Sequence, residues 1–441
     1  MRVGPAFLQT FAAQVLQSAA SIATAILIAR GLGPAGQGRY ALLAAAVGLL
    51  STMAAAGQFE GHVLMSAGDR SWGRTLFARS LLQALGAVCV VSLTQRLWRP
   101  WLGVQGEDKL AILFGLVLVG EVVALLFKGI NLGQHNITAY NVVTLVQRVF
   151  YFAVIAVIAT TRELRLETVL KAWLVAVAAN VILGGLWIWK HSGRAVFSWR
   201  SVRDGWGTSL SRGLRALLTI ALTLVLVRAD VYLIGPMLGS RAVGQVSVAT
   251  TLAEYLWYVP SILGSVLFAA VAADPGRESV AKICRASRAT LALLAPVSLG
   301  LAVTGRWIVP FIYGQAYEQA GILFVVLLPG MLAISLHLVI DSYFTGTGFP
   351  PITYIAAAGA LAFKVVLTLL LVPRLGLAGA ALATSVAYVS LLVAKVVALA
   401  RRTGVFAKDL FRPTREDVRY NLQAARSWLQ GFGGAAVGTR V

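Results

Sequence analysis

Apolar residues run in blocks of about 20 along most of the chain, parted by short polar or Gly- and Pro-containing breaks. A bilayer's hydrocarbon layer needs about 20 apolar residues in helical form, so each block predicts one spanning α-helix. Twelve blocks qualify, centred near residues 18, 50, 86, 119, 150, 179, 222, 256, 296, 332, 362 and 388. The connections are short, with no segment long enough for a separate soluble domain. The first block, Phe7 to Ile28, includes Ser18-Ala19-Ala20 and so imitates a secretory signal. Only Arg2 precedes it, however, and it is too long for a signal's apolar core, so it reads as the first spanning helix.

The blocks repeat. Leu32-Gly33-Pro34-Ala35-Gly36-Gln37-Gly38 lines up with Leu238-Gly239-Ser240-Arg241-Ala242-Val243-Gly244 at an offset of 206 residues. Later in each half, Leu132-Gly133 with Tyr140 matches Thr345-Gly346 with Tyr354 at offsets of 213 to 214. Six crossings return a chain to its starting side, so the halves must be parallel repeats about an axis along the membrane normal. The fold class this predicts is an all-α polytopic membrane protein, with about 12 transmembrane helices in two six-helix repeats forming a V-shaped, two-lobed bundle. The expected division is an N-terminal lobe over 1–190, a basic cytoplasmic linker over 191–207, a C-terminal lobe over 208–400, and a basic tail over 401–441. In that tail Thr414 and Asp417 suit a helix N-cap box, and Val418, Leu422, Ala425, Leu429 and Phe432 share one face. A basic amphipathic helix lying on the inner leaflet is expected there.

Composition agrees with a membrane protein. The 441 residues are 58% hydrophobic and only 12% charged, where soluble domains run near 25% charged. The net charge of +21 would suggest nucleic acid as a partner in a soluble protein. Here no soluble basic domain is present, and Lys and Arg instead hold inner loops against anionic lipid. With the N-terminus inside, the predicted inner loops carry about twice as many Lys and Arg as the outer ones. That bias places both termini on the cytoplasmic side. Cys89 and Cys284 fit neither a disulfide framework nor a metal site, and His62, His135, His191 and His337 show no metal-ligand spacing.

The most informative stretch is Leu224 to Leu267, where an apolar run holds Arg228 and Asp230, breaks at the Gly-rich turn, and continues to Glu254. The pattern Asp230-x-x-x-Ile234-Gly235-x-x-Leu238-Gly239-x-x-x-x-Gly244, followed by Ala249 to Pro260 (ATTLAEYLWYVP), resembles the polysaccharide-flippase group of the multidrug/oligosaccharidyl-lipid/polysaccharide exporter superfamily. The resemblance extends over roughly residues 5 to 400. It implies a secondary transporter flipping a polyprenyl-pyrophosphate-linked oligosaccharide by alternating access, with membrane lipids around it and glycosyltransferases or a polymerase as possible partners. Alternatives are a lipid-II flippase, a cation-coupled drug or metabolite exporter, or a non-transporting scaffold for glycosyltransferases. No cofactor is implied beyond H⁺ or Na⁺ as a coupling ion, and no constellation of an enzyme stands out.

Ionisable groups inside spanning segments are costly and normally face a bundle interior or a wet cavity. Arg148 and Lys364 lie mid-segment in the fifth and eleventh helices. On the 213 offset Arg148 matches Leu361, one turn from Lys364, which places the two cations on corresponding faces. With Arg228 they form the expected substrate cavity, since an Arg fork and a compact Lys charge both suit phosphate. The bland reading for Arg148 and Lys364 is snorkelling to the headgroups. Arg228 and Asp230, two residues apart, point in different directions on a helix. Asp230 is a candidate proton or cation site, or a cap at the Gly235-Pro236 break. Glu121 and Lys128 are two turns apart on one face, and Asp341 and His337 are four apart. A contact of Asp341 with Lys128 would serve as a gate or as a strut. Glu254, isolated in its helix, completes the coupling or gating candidates.

Overall fold

The computed structural model describes residues 5–55, 58–68, 72–161, 163–192 and 199–412. Parts of the linker, the side chains up to 216 and the tail beyond 412 lie outside the described residues, and with them the expected tail helix. In chain order the helices are α1 (Pro5–Ala55), α2 (Gln58–Gly68), α3 (Trp72–Leu93), α4 (Gln95–Trp101), α5 (Asp108–Gly133), α6 (Ile137–Thr161) and α7 (Leu166–His191). They continue as α8 (Trp199–Glu254), α9 (Tyr258–Ala273), α10 (Arg277–Tyr313), α11 (Glu318–Gly346), α12 (Ile352–Leu375), α13 (Leu377–Thr403) and the short α14 (Ala407–Phe411).

Among the described residues, ten helical segments are long and apolar enough to cross a membrane. Two of them, Ala12–Ala55 and Leu217–Ala273, run to 44 and 57 residues, about twice one crossing. Each is broken by a glycine in the left-handed region, Gly33 (φ 66°) and Gly239 (φ 81°). A side chain at either φ would be strained, so glycine is what permits the break. Dividing both segments there gives twelve crossings among the described residues, six before residue 193 and six after residue 198.

The chain forms two compact units, one of residues 1–248 with 309–320, the other of 249–308 with 321–441. In the first, the two halves of α1 run in opposite directions. Its opening half keeps company with α6, from a Gln9–Thr138 hydrogen bond (3.4 Å) to the packing of Gly31 on Leu164. Its second half follows α5, from Arg39–Glu107 (2.5 Å) into a core of Leu43, Val47, Phe114, Val117 and Val122. Since α5 and α6 form an antiparallel hairpin, the break at Gly33 is a true reversal.

The two glycine turns pack on each other within this unit. A Cβ on Gly38 would collide with the Ser240 carbonyl, and one on Gly244 with the Pro34 carbonyl. Pro34 and Ser240, like Gly38 and Gly244, are 206 apart, so the contact is reciprocal. The later turns match as well: His135 (φ 58°) and Phe349 (φ 55°), 214 apart, are the non-glycine residues with positive φ among the described residues. Asn136 caps α6 there, its Oδ1 accepting the Ala139 N–H at 3.2 Å.

The second unit centres on Leu267, Val271, Ile283, Val339, Ile340, Phe344 and Leu399, with Leu410 of α14 fully buried among them. Arg288 fixes that last turn by donating to the Asp409 carbonyl at 2.5 Å.

Candidate functional site

A cavity of about 340 Å³ opens in the first unit. Tyr40, Ala44, Val47, Gly48 and Ser51 of α1 line it, with Glu121 of α5, Gln147, Arg148 and Tyr151 of α6, Trp173 and Ala176 of α7, and Arg228 of α8. Glu121 and Arg148 stand near the centres of α5 and α6, membrane-length helices of 26 and 25 residues. Their depth along those helices is that of the hydrocarbon, where every charge needs a partner or water.

The cavity's polar side chains form a bonded set. Glu121 Oε1 accepts from Gln147 Nε2 (2.9 Å) and Trp173 Nε1 (2.8 Å). Gln147 Oε1 in turn accepts from Asn180 Nδ2 at 2.6 Å. The Tyr40 and Tyr151 hydroxyls share a hydrogen bond of 3.3 Å, and Tyr40 and Tyr151 both pack against the Trp173 ring. Arg148 is exposed into this space and has no hydrogen-bond or ion-pair partner among the described residues. Its planar fork of donors fits a phosphate or carboxylate bidentately. With Arg228 half-buried on the facing wall, the lining has two cations to one carboxylate.

The structure thus brings together Arg148, Arg228 and Glu121. Lys128 lies near this set without lining the cavity, and the remaining candidates lie elsewhere. Lys364 belongs to the second unit and is fully buried, its Nζ 5.5 Å from the centre of the Tyr388 ring. It does not line this cavity, and it does not snorkel. Glu121, on the α5 face expected to carry Lys128 two turns on, lies near enough to Lys128 for their charges to interact, and bonds to Gln147 and Trp173, donors that come within reach from α6 and α7. Lys128 is half-buried on α5 and makes no ion pair among the described residues. Asp341, expected to face Lys128, is bonded by Lys395 Nζ at 2.5 Å, since α13 packs beside α11 in the second unit. Lys395 is buried and also lies 4.6 Å over the Phe344 ring. Asp230 is buried on α8, and Glu254 is half-buried at its last residue.

Sequence reasoning missed Gln147, Trp173, Asn180 and the Tyr40–Tyr151 pair. The signal for the amides was available: Gln147 and Asn180 are polar residues in the middle of apolar helical runs. It also missed Arg79, fully buried on α3, whose Nη2 donates to Gln58 Oε1 at 3.4 Å. A second, larger cavity of about 630 Å³ lies by the glycine turns, among Arg39, Leu42, Trp101, Pro236 and Ser240. Its one cation, Arg39, is already paired with Glu107, so the smaller cavity is the better anion site.

A family model described as "Polysaccharide biosynthesis protein" matches residues 27–321. No curated protein matches in sequence. Among solved structures, the chain is similar to the lipid II flippase MurJ in an inward closed conformation, with TM-score 0.71, 11% identity, and coverage of 91% of this chain and 89% of that one. It is also similar to an inward-facing multidrug resistance MATE family transporter of the MOP superfamily, with TM-score 0.69, 14% identity, and coverage of 88% and 94%. A MOP superfamily transporter from Pyrococcus furiosus, described by a reversed polarity of its binding pocket, matches with TM-score 0.63, 15% identity, and coverage of 90% and 94%. At these identities the likeness is one of fold.

Proposed function

Since this chain belongs to the polysaccharide biosynthesis protein family, we propose that it flips a polyprenyl-pyrophosphate-linked oligosaccharide across the bilayer. The observation that carries this reading is the pair of guanidiniums, Arg148 and Arg228, on one cavity at mid-helix depth. A pyrophosphate cannot enter hydrocarbon unaided, because an unpaired charge there costs on the order of tens of kcal/mol by simple solvation. Fixed cations at that depth offset the cost. An exporter of cationic drugs needs the opposite, a net negative lining, and two cations against one carboxylate disfavour it.

The proposed direction is from the inner to the outer leaflet of a bacterial inner membrane, with both termini cytoplasmic and the two six-helix halves rocking about the site. With the inside negative, each negative charge moved outward gains about 2.3 kcal/mol per 100 mV. Return of the empty cationic cavity then needs charge compensation, and H⁺ or Na⁺ uptake at a carboxylate would supply it. Asp230, buried on the helix that carries Arg228, is the proposed coupling group. Glu254 is the reserve candidate, and Asp341 the weaker one because Lys395 already neutralises it.

The test is flipping of a labelled lipid-linked oligosaccharide in proteoliposomes by the Arg148→Ala, Arg228→Ala variant. Loss of flipping with membrane insertion intact supports the reading. Unchanged flipping overturns it. Collapsing the membrane potential is expected to slow the wild-type rate, and an unchanged rate would remove the coupling scheme alone.

A further inference from the structure

Arg148 and Glu121 line one small cavity, yet no ion pair joins them. Left to themselves, a guanidinium and a carboxylate in a space of about 340 Å³ would be expected to close into a bidentate pair and cancel. What intervenes is a chain of neutral donors. A carboxylate only accepts hydrogen bonds, so Gln147 must turn its amide nitrogen toward Glu121 and its oxygen away. Fully buried Asn180 meets that oxygen with its own amide nitrogen at 2.6 Å, which fixes Gln147 in the required orientation. From the other side comes the Trp173 indole N–H, which is donor only and has no use for Arg148. Both donors fall on Oε1, so Glu121 is tethered from α6 and α7 at once.

We propose that Asn180, Gln147 and Trp173 are positioning residues that hold Glu121 off Arg148 and so keep the guanidinium open to a phosphate-type anion. This rests on the reading of the cavity as an anionic-headgroup site. It makes anion affinity depend on three side chains that need not touch the anion. It also makes Glu121 a latent competitor for Arg148, tethered by neutral hydrogen bonds.

The experiment is calorimetric titration of purified full-length protein with farnesyl diphosphate. In the Gln147→Leu, Trp173→Phe variant Glu121 is released, and affinity is expected to fall roughly tenfold, the size of one charge-assisted contact. Adding Glu121→Gln to that variant removes the competitor and should return most of the lost affinity. Should the double variant not purify, Trp173→Phe alone, with a loss of about threefold, supports the same rescue by Glu121→Gln. Unchanged affinity in the released variants, or a loss that Glu121→Gln does not repair, overturns the positioning role while leaving the headgroup site standing. Absence of wild-type binding, with Arg148→Ala indistinguishable from it, overturns the headgroup reading itself and the positioning role with it.

Discussion

Arg148 on α6 and Lys364 on α12 occupy corresponding helices of the two repeats, one helical turn apart in register, yet they meet opposite fates. Arg148 opens into a cavity with no ion-pair partner among the described residues, whereas Lys364 is fully buried with its ammonium over the Tyr388 ring. In the same unit Lys395 of α13 is likewise buried, and neutralised by Asp341. Arg148 is left available, whereas Lys364 and Lys395 are stowed among aromatic rings and a carboxylate. The difference follows from local packing: α6 carries Gln147 and faces Glu121 and Trp173, while α12 lies against the close-packed, alanine-rich face of α13. A cation at membrane depth therefore does not by itself mark a ligand site. Its surroundings decide.

The largest effect expected from this contrast is on stability. Asp341→Ala strands the buried Lys395 ammonium, and breaking such a pair from one side costs about 3–5 kcal/mol. Thermal unfolding in detergent should show a large loss for Asp341→Ala, much of it recovered in the Asp341→Ala, Lys395→Ala double variant. A melting curve like the wild type's would dissolve the contrast, because the second unit's cation would then be as loosely held as the first's. Of middle size is the reciprocal glycine contact. Gly38→Ala and Gly244→Ala each press a methyl group onto the other turn's carbonyl, and overpacking of this kind costs about 1–3 kcal/mol. Because the contact is symmetric the two losses should be similar, and a large inequality in melting temperature would show that the turns are not equivalent. The smallest effect belongs to Glu107→Gln, which breaks the half-exposed pair with Arg39 and should cost no more than about 1 kcal/mol.

The repeated turns were legible before any coordinates because glycine at a positive φ leaves a trace in the letters. Gly33 and Gly239 were aligned by their neighbours, and they proved to share one backbone conformation. The twelve crossings were legible for a similar reason, since length and hydropathy answer to bilayer thickness. The site was only half legible. Arg148, Arg228 and Glu121 announced themselves as charges in apolar runs, but spacing along a single helix reports neighbours on that helix only. Glu121 found its donors on α6 and α7, and Asp341 found Lys395 on α13. Such contacts depend on how helices distant in sequence lie side by side, and no periodicity encodes them.

The central claim is that Arg148 presents an open positive charge to an anionic headgroup midway through the membrane. The most direct test is the flipping rate of a labelled polyprenyl-diphosphate saccharide in proteoliposomes by wild type and by Arg148→Ala. The account expects transbilayer movement by the wild type and a rate lower by about 100-fold in the variant, the equivalent of losing one strong charged contact of about 2.7 kcal/mol. Equal rates, with both proteins inserted to the same level, would contradict it.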